Sequence, residues 1–401
     1  MKLRNTIYYM LGLIVSASML TGCVEEYEAD IAEEDANLLV VEGTICANQT
    51  NSFRLSWTDP ITADYTPEWI PDANVTVRGT DGSVYQTQAG YDKTYNFCYS
   101  CEIGDLNPDV EYYLRIELGD EVYESDPQKP LATEKIADVR GTQETEESDI
   151  EVLVTPAEPF DASKGNYYSW TYEETWEVRP DYITYWYYDT DEKKAVVKGG
   201  QFPACGWKDA IGTQVAVGSS TSYQGQHIER LKVYDISRAS ERMYFKYSGL
   251  VRQRAISKGE YEYELARRQA GEDMGGLFTP LPSALPSNIH CLTSKRHVIG
   301  YVGCSLNTSA YRFFLMPQDF SIYRPVLKDT RIWLENPTEI DCMKMVESGM
   351  YLCEYDNTEM TPTGQTIVKM AWAWPYQLDV RVRGAYIEEP EYWSRTDNYS
   401  L

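Results

Sequence analysis

Cys98-Tyr-Ser-Cys101 has the C-x-x-C spacing of half a zinc site, the sharpest metal signal in the chain. A structural zinc site needs four sulfur or nitrogen ligands. No second pair has that spacing, and only three histidines exist, His227, His290 and His297, so no metal is expected. The same scarcity limits nucleophilic catalysis, which needs a base within reach of its nucleophile. The chain has no G-x-S-x-G elbow and no H-E-x-x-H helix. His290, beside Cys291 where a strand should start, reads as a hydrogen-bonded structural residue. Paired carboxylates could hydrolyse glycosides, but among 62 Asp and Glu some pair always fits, so the observation decides nothing. Asp189-x-Asp191-Glu192 lacks the rest of an EF-hand loop and reads as a solvated turn. Neither a P-loop nor a dinucleotide fingerprint is present. The expectation is therefore a protein that is not an enzyme and carries no cofactor.

Aromatic residues are harder to set aside. The chain has 33 Tyr and 10 Trp, and Trp170, Trp176, Tyr185, Trp186, Tyr187 and Tyr188 fall within one short stretch. As a strand, "YITYWYYD" is aromatic on both faces, so burying one face leaves the other exposed as a ligand or partner surface. The competing reading is a strand covered on both faces. Trp69, on the Pro-bounded loop "TPEWIP", is a second candidate contact, with anchoring of its own loop as the alternative.

The remaining chemistry lies at the start of the chain. Lys2 and Arg4 precede an apolar run from Ile7 to Leu20, the pattern of a secretion signal and too short for a stable span. The run ends in Leu20-Thr21-Gly22-Cys23, which resembles the lipobox of bacterial lipoproteins. There the cysteine sulfur receives diacylglycerol and the chain is cut before it. Several acyl chains on Cys23 would anchor the protein without a span, since one chain holds only marginally. Glu25, Glu26, Glu28, Asp30, Glu33, Glu34 and Asp35 follow with no basic residue among them, a self-repelling tether. That stretch also resembles the acidic export signal that sends lipoproteins of Bacteroidetes-type bacteria to the outer face of the outer membrane. A net charge of -26 argues against nucleic acid or an anionic bilayer as partner.

Beyond Cys23 the cysteine count is even, which favours disulfides in an exported chain. Cys291 and Cys304 flank one segment and Cys342 and Cys353 another, both read as bridged hairpins. Cys46 with either Cys98 or Cys101 could staple the first domain. The sequence alone selects no connectivity.

The elements that must position these residues are mostly strands: β-branched and aromatic runs broken by Gly, Pro, Asn and Asp. The reading is mainly β. A signal peptide (1–22) and acidic tether (23–36) precede an immunoglobulin- or fibronectin-III-like β-sandwich (37–135), and a larger β-rich domain (136–401) follows. Asp81-Gly82 marks a hairpin turn. Leu106-x-Pro108-x-x-x-Tyr112 looks like the tyrosine corner of such sandwiches, making Tyr112 structural. One helix stands out near 257–271, where Ser257 and Glu260 form a capping box and Gly271 closes the segment. The prolines of "GGLFTPLPSALPSN" then force an extended loop. No repeat of solenoid length is present.

These stretches also resemble a known family. "NLLVVEGTI", "YFKYSGLVRQRAISKGEYEY" (244–263), "GGLFTPLPSALPSNIH", "VIGYVGCS" and, at the end, "VRGAYIEEPEYW" are similar, in order, to outer-membrane lipoproteins grouped as domain of unknown function 4249. One departure stands out: the family often carries a close cysteine pair before the final Arg-Gly step, where this chain has Leu378-Asp379-Val380-Arg381. The resemblance implies an accessory lipoprotein, commonly encoded beside a TonB-dependent β-barrel transporter and assisting nutrient capture or gating. The alternative is a free-standing glycan- or peptide-binding surface protein. No catalytic residue comes with the family, so only the acylated Cys23 carries over.

Overall fold

The computed structural model describes residues 38–58, 68–92, 95–159, 165–223, 227–272 and 285–400. The expected signal peptide, the tether, Cys23 and most of the proline-rich loop lie outside the described residues.

The N-terminal strands form two facing sheets. One runs in the order Val298–Gly300, Leu39–Glu42, Gln49–Trp57, Phe97–Ile103, Gln88–Tyr91, and the other Ile289–Cys291, Glu121–Ser125, Tyr112–Leu118, Asn74–Gly79, Val84–Gln86. Period-two patterning makes this a sandwich. Along Tyr112–Leu118 the residues Tyr112, Leu114 and Ile116 turn inward, and from the facing sheet come Leu39, Val41, Phe53 and Leu55. The Asp81-Gly82 turn joins its two strands with Gly82 at φ +89°, and the Asp81 carboxylate accepts the Ser83 N–H at 3.0 Å. Tyr112 makes its corner: the phenol oxygen accepts the Asn107 N–H at 3.0 Å, five residues upstream.

A second sandwich follows. The three-stranded sheet Ile136–Gln143, Ile150–Pro156, Leu231–Ile236 shares a core with a larger sheet centred on Tyr167–Val178 and Tyr247–Ile256. Trp170 is fully buried there and donates its indole N–H to Gln253 Oε1 at 2.9 Å. A third, smaller core lies beneath the sheet Ile332–Glu335, Thr366–Ala373, Tyr351–Met360. Over it pack a helix, Glu339–Glu347, and the hairpin Trp186–Asp189/Lys194–Val197. The protein is mainly β, as its patterning implies. Among the described residues no helix is long and apolar enough to cross a membrane.

Three expectations need correction. The region 136–401 is not one continuous domain, because Ile289–Cys291 and Val298–Gly300 return as edge strands of the N-terminal sheets and Gly303–Ser305 pairs with Thr44–Cys46. Edge strands carry unpaired backbone groups that a distant segment can satisfy, and period-two patterning is blind to which segment does so. Second, the helix Glu339–Glu347 was not foreseen. Its Thr338–Asp341 capping box uses Asp at the position where Glu is the usual signal.

Third, the expected disulfides are absent: Cys46, Cys98, Cys101, Cys205, Cys291, Cys304, Cys342 and Cys353 are all free thiols. Cys291 and Cys304 sit on strands paired to different partners rather than in one hairpin. Cys342 lies on the unforeseen helix against Met370 Sδ at 3.7 Å, while Cys353 belongs to a separate core with Ala373 and Leu378. Cys98 and Cys101, three apart on one strand, face opposite sides. The Cys46 thiol bonds to Ser305 instead.

Candidate functional site

The helix α1, Lys258–Glu272, follows the strand Tyr247–Ile256 and packs against its neighbours Tyr167–Val178 and Ala216–Ser219. Ser257 caps it, its hydroxyl accepting the Glu260 N–H at 3.1 Å. Glu260 does not complete the expected capping box with its side chain. That carboxylate instead meets Arg254 in a two-pronged ion pair, one arm at 3.1 Å and the second from Nη2, with Glu260 buried and Arg254 partly so. Glu260, Tyr263, Glu264 and Arg267 recur at helical spacing, so they share one face of α1. That face closes a cleft of about 410 Å³.

The opposite wall is the first strand of the N-terminal sandwich, Val41 to Gly43 with Thr44 and Cys46, and the floor is the second sheet through Ser169, Thr171 and Arg252. Cross-strand pairing places Thr171 opposite Arg252 and Ser169 opposite Arg254. Two glycines allow the close approach. At Gly300, φ +144° suits glycine alone, and a Cβ would overlap the Val41 carbonyl; at Gly303 it would overlap the Glu260 carboxylate. Tyr301 between them supports the start of α1, its hydroxyl 3.1 Å from Ser257 Oγ.

Two of the lining arginines are held in ion pairs. Arg252 holds Glu173 at 3.2 Å, and Arg267 holds Glu264 at 2.8 Å. Burial pushes the Glu264 carboxyl above its ordinary range, with Arg267 pulling the other way. Burial also pushes the Tyr263 phenol up to about 12 and raises the thiol of Cys46. These thiols and phenols are protonated at neutral pH, so the cleft offers guanidinium, carboxylate and hydroxyl groups but no thiolate nucleophile. None of the three histidines lines it. His290 bonds Asp126 at 3.1 Å on the surface, a structural contact. Among the described residues no cluster of three or more His, Cys, Asp or Glu could hold a metal. Such a lining suits binding of a polar ligand or peptide segment carrying both charges.

The cleft is lined by the stretches that carry the family resemblance: "NLLVVEGTI", the 244–263 segment and "VIGYVGCS". A family model described as "Domain of unknown function (DUF4249)" matches residues 24–310. The chain belongs to this family. The DUF4249 match ends before the C-terminal "VRGAYIEEPEYW" and before most of the small third core. No curated protein matches the chain. Among solved structures, a DUF4785 family protein from Legionella pneumophila is similar at 12% identity over 54% of this chain and 52% of that one. This chain thus spans about half the length of that protein, and a TM-score of 0.16 is no superposition of folds.

The aromatic candidates divide. Trp170 and Trp176 are buried in the second sandwich, because Tyr167–Val178 is a central strand covered on both faces. The predicted strand "YITYWYYD" shrinks to Trp186–Asp189 and belongs to the third core, where Tyr188 is buried and Trp186 packs on Tyr355 with ring centroids 4.9 Å apart. Tyr185 stays 62% exposed. Trp69 is half-buried on a two-residue strand against Ser56. Asp189 makes the expected turn, accepting the Asp191 and Glu192 N–H groups at 2.9 Å each. Sequence reasoning missed Arg252, Arg254, Glu264 and Arg267. The helical spacing of the α1 set was legible, but the two arginines lie on a strand whose partner in space the sequence does not name.

Proposed function

We propose that this protein is a surface-anchored outer-membrane lipoprotein, not an enzyme, that serves a TonB-dependent β-barrel transporter as an accessory subunit in nutrient capture or gating. The observation that carries the reading is the order of parts at the N-terminus: Leu20-Thr21-Gly22-Cys23, the acidic stretch, then directly the strand that walls the cleft. Lipid on Cys23 supplies the anchor. From Cys23 to Leu38 the chain spans at most about 50 Å, so the cleft is tied near the membrane where a barrel's outer mouth opens. Paired charges at its rim suit a polar ligand or a loop of the barrel.

Gentle-detergent capture of the full lipoprotein from its own cells, with mass spectrometry of what accompanies it, tests the reading. A stoichiometric TonB-dependent barrel is expected, and recovery of the protein alone counts against it. Labelled palmitate should enter the wild type and not Cys23→Ala. A second reading, a free-standing glycan- or peptide-binding protein, is favoured by the exposed Tyr185 ring next to half-buried Trp186. It requires that the protein alone bind such ligands on arrays and that Trp186→Ala lose them.

A further inference from the structure

One polar group in the wall of the cleft is left over. Tyr263, on the lining face of α1, is only 7% exposed. Its hydroxyl has no hydrogen-bond partner among the described residues, and it is not one of the polar atoms sealed in the interior. With its pKa pushed up to about 12, the phenol is an O–H donor at neutral pH. The charges acting on it are Arg267 and Glu264 from its own helix and Glu42 from the facing strand, so the hydroxyl looks across the opening. A donor so far removed from water needs an acceptor in exchange, and the cleft is the side from which one comes.

Two charged groups of the same lining are only partly engaged. Arg252 gives its Nε to Glu173 at 3.2 Å, and its two terminal nitrogens have no partner among the described residues. Glu42 meets only Arg54, at 3.9 Å, and Arg54 is held more closely by Asp92. The cation lies on the sheet that floors the cleft, and the anion on the sandwich wall. The whole lining balances Arg252, Arg254 and Arg267 against Glu42, Glu260 and Glu264. A phosphate or other plain anion therefore meets as much repulsion as attraction. A neutral sugar would strip water from Arg252 and Glu42 without replacing it. A molecule with one positive and one negative end satisfies both. A second hollow of about 430 Å³ adjoins the cleft across Val215, Glu264 and Arg267, which gives an elongated ligand room to continue. We propose that the cleft binds a short zwitterionic peptide, its ammonium end at Glu42, its carboxylate end at Arg252 and a main-chain carbonyl on the Tyr263 hydroxyl. This rests on reading the cleft as the capture site of an accessory lipoprotein, and it names what is captured.

Trialanine is the probe, because every contact is to a peptide end or to main chain. Equilibrium dialysis of labelled trialanine against the full lipoprotein in detergent should show one saturable site at millimolar concentration or below. N-acetyl-trialanine and trialanine amide, each lacking one end charge, should bind at least about tenfold more weakly. Glu42→Gln should weaken trialanine but not its N-acetyl form, and Arg252→Gln should weaken trialanine but not the amide. Tyr263→Phe removes an oxygen that no protein group uses. Its affinity should fall about fivefold or more, with the unfolding midpoint unchanged. The proposal is overturned by no saturable binding, by equal binding of the capped peptides, or by a Tyr263→Phe protein that binds normally or unfolds more easily. Trialanine binding by a protein that no barrel accompanies would remove the transporter and keep the peptide. A barrel beside a cleft that ignores trialanine would do the reverse.

Discussion

Arg254 and Glu260 face each other six residues apart, one on a strand and the other on the helix that follows it, and their buried ion pair fixes the angle between the two. Glu260 is buried and Arg254 keeps only a small share of its side chain in water. Arg254 stays protonated although burial opposes it, because the Glu260 carboxylate overrides that cost. The pair is also what Gly303 makes room for.

Breaking the pair from one side leaves an uncompensated buried charge. Arg254→Met or Glu260→Gln should each lose about 3–5 kcal/mol in denaturant unfolding, while the double substitution Arg254→Met/Glu260→Leu should recover most of it. Single substitutions that cost less than about 1 kcal/mol would show the pair to be solvated.

Gly303→Ala tests the same place from outside. The new methyl must displace the Glu260 carboxylate, and overpacking of this kind costs about 1–3 kcal/mol. Gly349→Ala, whose Cβ meets nothing, should lose only the cost of its φ of +82°. Any effect of Gly303→Ala should vanish in the Arg254→Met/Glu260→Leu background if the clash is with that carboxylate.

The third core should be acid-sensitive through Asp329. Two Arg331 hydrogen bonds at 2.9 Å and the Trp333 indole N–H at 3.0 Å hold its carboxyl well below the usual range. A carboxyl whose folded pKa is depressed stabilises the folded state above its unfolded value of about 4 and loses that contribution as pH falls below it. Asp329→Asn should therefore lower the melting temperature at pH 7, and the gap to wild type should shrink as pH is lowered from about 5. A gap constant with pH would sink this assignment.

Alkylation of the unreduced protein should modify all eight described cysteines once it is denatured. In the native state Cys291 should react first. Partial burial raises its pKa, but hydrogen bonds from Ser294 and Thr293 outweigh this and leave it lowered. Burial pushes Cys101 to about 11 and Cys304 to about 12, and both should be protected. A mass deficit of paired hydrogens in the denatured protein would instead reveal bridges.

Local signals were legible wherever the chain's neighbours in sequence are its neighbours in space. The Asp81-Gly82 turn, the Tyr112 corner and the Ser257 cap each involve groups within a few residues of one another, so their chemistry can be read directly from spacing. The alternation that makes Tyr112–Leu118 half-buried is likewise a local property. The cysteines fail for the opposite reason: Cys342 and Cys353 lie close in sequence, yet a helix start at Thr338 turns the first toward Met370.

What the sequence by itself determined is the mainly β class of the elements, together with the Leu20-Thr21-Gly22-Cys23 run and the acidic stretch that precede the described residues. Which elements meet was decided only in three dimensions. Period-two patterning tells a strand which face to bury but not which strand to pair with, since every backbone edge offers the same hydrogen bonds. So Val298–Gly300 could close the sheet begun by Leu39–Glu42 from far along the chain, and that crossing brings Tyr301 and Gly303 to α1 and builds the cleft. The aromatic residues divided by the same rule: Trp170 went to a central strand and Trp186 to a separate core, because burial belongs to the neighbours a strand acquires and not to its own composition.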